Sequence, residues 1–283
     1  MILKLASSDL NRRCSAGLAI VCLSGVAIAG CGSSGASSPS AAGASTTSAR
    51  TLEASKSPSQ ILADAAAAVR KTHGFRMQAT LTSTAKPSQR LRMSISVASR
   101  RKFAVALSTG GASISLVVAG NQGYLRANGD YWSSVMGHSP KAAVLAGRWL
   151  LVPIRTLNSL TGDLNPAQLA SCMTHGHGTL SIAGRATVDH QPAIILRDAG
   201  NAPGDQPSTL AIAATGVPYP LKETETGRQR PGGTQPCTSS GPSTDGTVTL
   251  SDFGHGGAVR VPADAVTVKS LFPDEIQPAA PNT

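Results

Sequence analysis

Four runs decide the fold: FRMQATLT (residues 75–82), RLRMSISV (90–97), FAVAL (103–107) and ASISLVV (112–118). Met77, Ala79 and Leu81 alternate with Arg76, Gln78 and Thr80; Leu91, Met93, Ile95 and Val97 alternate with Arg90, Arg92, Ser94 and Ser96. Phe103, Val105 and Leu107, then Ile114, Leu116 and Val118, repeat the pattern. Side chains of a strand point to opposite faces in turn, so period-two alternation gives each run one apolar and one polar face. Turns near Lys86-Pro87 and at Gly110-Gly111 keep the connections short, which selects an antiparallel meander. Asn121–Ala127 and Asp130–Ser133, turning at Asn128-Gly129, are expected to extend it as a hairpin.

Upstream, Ser57 is placed to cap a helix, with Pro58 at its first position and Gln60 completing a capping box. Ile61, Leu62, Ala65, Val69 and Thr72 recur at helical spacing, and Gly74 is the expected left-handed residue past the end. Downstream, Lys141–Ala146, Ile154–Leu160 and Pro166–Thr174 read as helices, the last capped by Asn165, and Trp149–Val152 is an apolar run. Strands are expected at Thr179–Ile182, Ala193–Leu196, Thr209–Ala214, Pro220–Thr226 and Thr247–Asp252, followed by a Pro-punctuated tail. The fold class is therefore α+β: a large, curved antiparallel sheet with helices packed on one face.

The first thirty residues read as an export signal. Lys4, Arg12 and Arg13 precede the apolar stretch AGLAIVCLSGVAIA (16–29), too short for a comfortable membrane span. It ends in Ile28-Ala29-Gly30-Cys31, which resembles the bacterial lipobox, so residues 1–30 are expected to be a lipoprotein signal peptide and Cys31 to carry diacylglycerol. Arg12-Arg13 is compatible with Sec or twin-arginine export. Residues 31–56 form a tether: beyond Cys31 all but Arg50, Leu52, Glu53 and Lys56 are Gly, Ser, Ala, Thr or Pro, and no core forms from such a segment. One domain is expected over 57–277, with a tail at 278–283. The domain would thus be extracytoplasmic, anchored to the outer face of the cell membrane through acylated Cys31.

The chain holds 25 Lys and Arg against 15 Asp and Glu, a net +10, and only 3% aromatic residues. So few rings argue against nucleic-acid stacking platforms and aromatic cages, and with the export signal they exclude nucleic acid as a partner. No acid lies between Asp64 and Asp130, an interval holding ten cations from Arg70 to Arg126. Arg76, Arg90, Arg92 and Lys102 occupy the polar phase of neighbouring strands, a basic surface. Two readings fit it: an electrostatic footprint for anionic lipid headgroups, or a solvated face. The apolar phase (Leu81, Leu91, Met93, Ile95, Val105, Leu107, Leu116 and Val118) fits either a plain core or the wall of a cavity for acyl chains.

Beyond the signal and anchor, two cysteines remain. Cys172 and Cys237 in an exported domain most simply form a disulfide, with two buried thiols as the alternative. Cys172, His175 and His177 lie close together but lack a fourth ligand at supporting spacing, so no metal is expected. No G-x-S-x-G elbow, P-loop, H-E-x-x-H or dinucleotide fingerprint occurs. Neither enzyme activity nor a cofactor is expected.

The lipobox, the tether and Ser57–Leu81 leading into a basic meander resemble an actinobacterial cell-envelope lipoprotein. More specifically the chain resembles the LppX/LprA/LprF/LprG family, whose fold is similar to the carriers LolA and LolB. The resemblance runs through Gly123-Tyr124-Leu125, Tyr131-Trp132, Gly147-Arg148-Trp149 to Val152-Pro153, Gly216-Val217-Pro218-Tyr219-Pro220, and Val248–Phe253 to Val261-Pro262. It covers most of residues 57–270 as pattern and order. It implies a half-barrel sheet with helices on its concave face, enclosing an apolar cavity that holds the acyl chains of lipids or lipoglycans. The cysteine pair and the long Gly227–Gly246 loop depart from the family's pattern. The expected function is a membrane-anchored, lipid-binding lipoprotein that carries or retains acylated lipids at the envelope, with an envelope protein as a possible partner. The competing expectation is a structural or accessory lipoprotein with a filled core that binds protein partners.

Overall fold

The computed structural model describes residues 55–83, 88, 90–154, 157, 166–175, 177–232 and 244–272. The expected Lys86-Pro87 turn, Asn165 cap, Cys31 and Cys237 lie outside these residues.

The alternating runs become six consecutive antiparallel neighbours: β1 (Phe75–Ser83), β2 (Arg90–Ser99), β3 (Lys102–Thr109), β4 (Ala112–Ala119), β5 (Gln122–Ala127) and β6 (Leu150–Pro153). A second antiparallel meander comprises β7 (Leu180–Val188), β8 (Gln191–Asp198), β9 (Ser208–Ala213), β10 (Pro220–Glu225) and β11 (Thr244–Ser251). β1 pairs with β11, which fuses the two, and β12 (Val266–Thr267) adds to β6 in parallel. The result is one open sheet of 12 strands running from β12 at one edge to β7 at the other. It does not close into a barrel.

Register converts the sequence pattern into apolar rows across the sheet. Met77, Ile95, Val105, Leu116, Leu125 and Leu150 stand in one row; Val248, Ala79, Met93, Leu107, Ile114 and Ala127 stand in the next. These rows form the concave floor. Where β1 and β11 meet, Gly246 is required by close approach: a Cβ there would come within 2.6 Å of the Thr80 carbonyl oxygen and the Leu81 side chain.

Such a floor must be covered, and α1 (Pro58–Lys71) supplies part of the cover. Ser57 caps it as the sequence requires, its hydroxyl accepting from the Gln60 N–H (3.3 Å) while its own N–H donates to Gln60 Oε1 (2.9 Å). Ile61, Leu62, Ala65, Ala66 and Val69 are buried in the same cluster as the floor. The chain between β6 and β7 must travel from one side of the sheet to the far edge. Of this connection α4 (Pro166–Thr174) lies on the concave side and adds Leu169, Ala170 and Met173 to that cluster beside α1.

The return to β12 runs over the convex face. Val259 packs with Val117 and Tyr124, and Ala265 with the same outer cluster. The strap begins at a tight crossing, where the Gly254 N–H donates to Gly74 O and Thr72 Oγ1, both at 2.9 Å. Gly256, at φ +60°, lies so close to the Val97 carbonyl that no side chain fits.

Three expectations change. The 121–133 hairpin ends after β5: Asn128 is a helix cap, its Oδ1 accepting from the Tyr131 N–H (3.0 Å), and α2 (Gly129–Met136) follows. Capping chemistry outcompetes the Asn-Gly turn here because the same side chain also bonds Ser113 N–H and Gly111 O across the adjoining β3–β4 turn. Gly74 is not left-handed, since Thr72 ends α1 in extended conformation; Gly74 instead makes room for the Val97 carbonyl. The tail holds the convex strap, β12 and α5 (Val268–Leu271). The short helix expected at 141–146 is α3 (Pro140–Leu145).

Ile61 is fully buried, so Ile61→Ala should cost about 2–5 kcal/mol and Ser57→Ala about 1 kcal/mol in urea unfolding. An Ile61→Ala loss no larger than that of Ser57→Ala would contradict α1 as the principal cover.

Candidate functional site

The concave floor is where the eight apolar-phase residues lie, and they do not share one environment. Leu81, Met93, Ile95, Val105, Leu116 and Val118 are buried, whereas Leu91 and Leu107 are only half-buried. Ile114 and Leu125 are half-buried too, packing both on this cluster and on a second one that contains Trp132, Leu145 and Leu150. Leu91, Leu107 and Ile114 sit toward one end of their strands, the end bearing the Thr109–Ala112 turn. At the other end Phe75, Val97, Phe103 and Val118 form a fully buried row. The apolar interior is thus sealed at one end and has an accessible margin at the other.

Register puts Arg76, Arg90, Arg92 and Lys102 on the convex face, opposite the floor. The strap crosses this face, and Arg76 Nε lies 3.5 Å from Asp252 Oδ2, so the sequence's long acid-free interval meets an acid from far along the chain. Apolar contacts of Val117, Tyr124 and Val259 occupy part of the same surface.

A different set of cations converges at the sealed end. Arg70 and Lys71 from the last turn of α1, His73 after it, and Arg100 and Arg101 from the β2–β3 turn line an open pocket of about 490 Å³, to which the start of α4 contributes Pro166 and Ala167. Among the described residues no carboxylate lines it. Sequence reasoning placed these cations in the acid-free interval but did not group them, because a helix end and a turn some thirty residues apart meet only in the fold.

Cys172 is buried in α4, with Gln168 Nε2 3.5 Å from its sulfur. The neighbouring histidines contact nearby backbone: His175 Nδ1 is 2.7 Å from Ser171 O in the last turn of α4, and His177 Nδ1 is 3.0 Å from Gly178 O in the connection to β7. Among the described residues no group of three His, Cys, Asp or Glu could hold a metal, and no helix is long and apolar enough to cross a membrane.

Buried acids gather instead around the β8–β9 connection. Asp198, 3% exposed, accepts from Gly178 N–H (3.0 Å) and Gly200 N–H (2.9 Å), and Gln206 Nε2 donates to Glu225 Oε2 (3.0 Å). These bonds clamp a turn. Burial pushes the Asp198 carboxyl above its ordinary value, and nearby Asp205 pushes the same way against the two N–H donors.

No family model matches the chain and no curated protein matches it. Solved structures do. LprF from Mycobacterium bovis is 13% identical, covering 75% of this chain and 100% of its own, at a TM-score of 0.45. LppX from Mycobacterium tuberculosis is 13% identical over 71% of this chain and 98% of its own, at 0.40. A LolA superfamily protein from Nitrosomonas europaea is 10% identical over 74% and 96%, at 0.25. The solved structures to which this chain is similar thus include two whose names the sequence resemblance carries. Scores this low leave the functional reading to rest on this chain's own geometry.

A carboxyl with a raised folded-state pKa contributes stability that is fully present below its unfolded pKa and lost as pH rises through the folded value. Asp198→Asn removes that titration. The stability of wild type relative to Asp198→Asn should therefore increase from pH 7 to pH 4 in urea unfolding, by up to about 1.4 kcal/mol for each unit of elevation. A difference that is flat across this range would contradict the raised pKa.

Proposed function

We propose that the protein is a membrane-anchored lipoprotein that holds the acyl chains of lipids or lipoglycans between its concave floor and the helices above it. The observation that carries this reading is the half-buried apolar margin at Leu91, Leu107, Ile114 and Leu125, continuous with the buried floor. A core that served only stability would gain by sealing this margin, since each aliphatic side chain fully removed from water contributes about 1.5–3 kcal/mol. An acyl chain entering there would complete the cover. The four margin side chains are aliphatic, which suits a chain of methylenes.

In the same reading residues 1–30 direct export and Cys31 carries the acyl anchor. Residues 32–56 tether one domain over 57–277 outside the cytoplasm, above the outer face of the cell membrane. With acyl chains each contributing about 0.8 kcal/mol per buried CH₂, the anchor is effectively permanent. A Cys172–Cys237 disulfide fits the oxidising compartment and would contribute roughly 4 kcal/mol by the chain-entropy model. The lipid is bound and released without chemistry, with no cofactor.

Mass spectrometry of the full chain, extracted from membranes in non-ionic detergent, tests these parts together. The covalent mass should begin at a diacylated Cys31 and fall by two hydrogens relative to the reduced protein; native spectra should carry a non-covalent lipid adduct. An unmodified Cys31 would remove the anchor. A bare native mass that takes up no added acyl lipid would leave the filled-core, partner-binding reading.

A further inference from the structure

From the cationic pocket at the sealed end of the interior, we infer that the protein has a binding site for a phosphate-type anion. Arg70, Lys71, Arg100 and Arg101 are all exposed, all line the same pocket, and come from two separate elements. None of the four makes an ion pair among the described residues. The ion pairs of the described residues lie elsewhere, at Lys56 with Asp64 (2.6 Å) and Arg76 with Asp252 (3.5 Å), so what sets these four cations apart is that they converge on one space.

The ordinary reason for cations at a helix C-terminus is the macrodipole, and it accounts for Arg70 and Lys71 only in part. The dipole places about half a negative charge there, whereas the pocket gathers four positive ones. Arg100 and Arg101 belong to a strand turn and answer to no dipole of α1. The start of α4, at Pro166 and Ala167, faces the same space and brings the positive end of a nine-residue helix. An anion relieves all of these at once.

The backbone that carries these side chains is also held in place. The Arg101 N–H donates to Ser99 Oγ (3.4 Å) and its carbonyl accepts from the Gly120 N–H (2.8 Å), which fixes the turn. On the facing wall Thr72 Oγ1 donates to Gly74 O and accepts from the Gly254 N–H, both at 2.9 Å, which fixes the exit of α1. Guanidinium forks held by an ordered backbone suit the several oxygens of a phosphate, which they engage bidentately. A volume of about 490 Å³ leaves room for what is esterified to it.

The phosphate comes either free in solution or on the headgroup of a bound lipid, and the second source rests on the proposed lipid-binding function. The full chain in non-ionic detergent separates them. The test variant carries Arg70→Gln, Lys71→Gln, Arg100→Gln and Arg101→Gln, all at exposed positions, and its unfolding midpoint in urea checks that the fold survives. Inorganic phosphate is titrated calorimetrically at fixed ionic strength, and native spectra compare phosphatidylglycerol with diacylglycerol of the same acyl chains. Wild type should bind inorganic phosphate, and the variant should lose at least tenfold in that affinity. If the source is a headgroup, wild type should also prefer phosphatidylglycerol by about tenfold, and the variant should lose the preference while keeping diacylglycerol. Phosphate binding lost in the variant, with no lipid adduct on either protein, would support a free-anion site while the lipid-binding reading fails. Equal behaviour of wild type and variant in both titrations would overturn the site.

Discussion

Everything in this structure follows from one constraint: an open sheet of 12 strands has an apolar face wider than any single helix can cover. With neighbouring strands about 4.8 Å apart, such a sheet arcs over roughly 50 Å, while a helix with its side chains is about 10 Å across. α1 buries Ile61, Leu62, Ala65, Ala66 and Val69 on that face, and α4 lies beside it. The deepest apolar rows lie beneath this cover, and the margin at Leu91, Leu107 and Ile114 remains partly open. The proposed lipid-binding function is, physically, the use of that remaining margin.

The second organising feature is that the chain crosses its own sheet twice, on opposite sides. The crossing that carries α4 covers part of the concave side, and the strap from Asp252 to Ala265 covers part of the convex side. The strap begins where Gly254 ties to Thr72 and Gly74, and the same knot fixes the exit of α1 toward the cationic pocket. Fold closure and pocket geometry therefore share their fixed points. They also segregate polarity: the pocket lies beyond the buried Phe75–Val97–Phe103–Val118 row, and the accessible apolar margin lies at the opposite strand ends.

Much of this was legible from the residues. Strict alternation over 75–118 specified four neighbouring strands and their inward faces, and the Ser57–Gln60 capping box placed the start of α1 at the residue where it occurs. Local signals misled where one side chain served distant partners. Asn128-Gly129 has the chemistry of a hairpin turn, yet Asn128 bonds Ser113, Gly111 and Tyr131 at once and starts a helix. What no local pattern held was juxtaposition: Arg70 with Arg101, Asp252 with Arg76, and Val259 over Tyr124 arise from crossings that periodicity does not encode.

The central claim is that acyl chains occupy the concave side of the sheet. Photo-crosslinking of the full chain with a phospholipid bearing a diazirine near the end of one acyl chain, followed by peptide mapping, addresses it at the level of residues. The account places the crosslinks on floor and margin peptides containing Leu91, Leu107, Ile114 and Leu125. Labelling confined to the convex face, at Val117, Tyr124 or the strap around Val259, would contradict it.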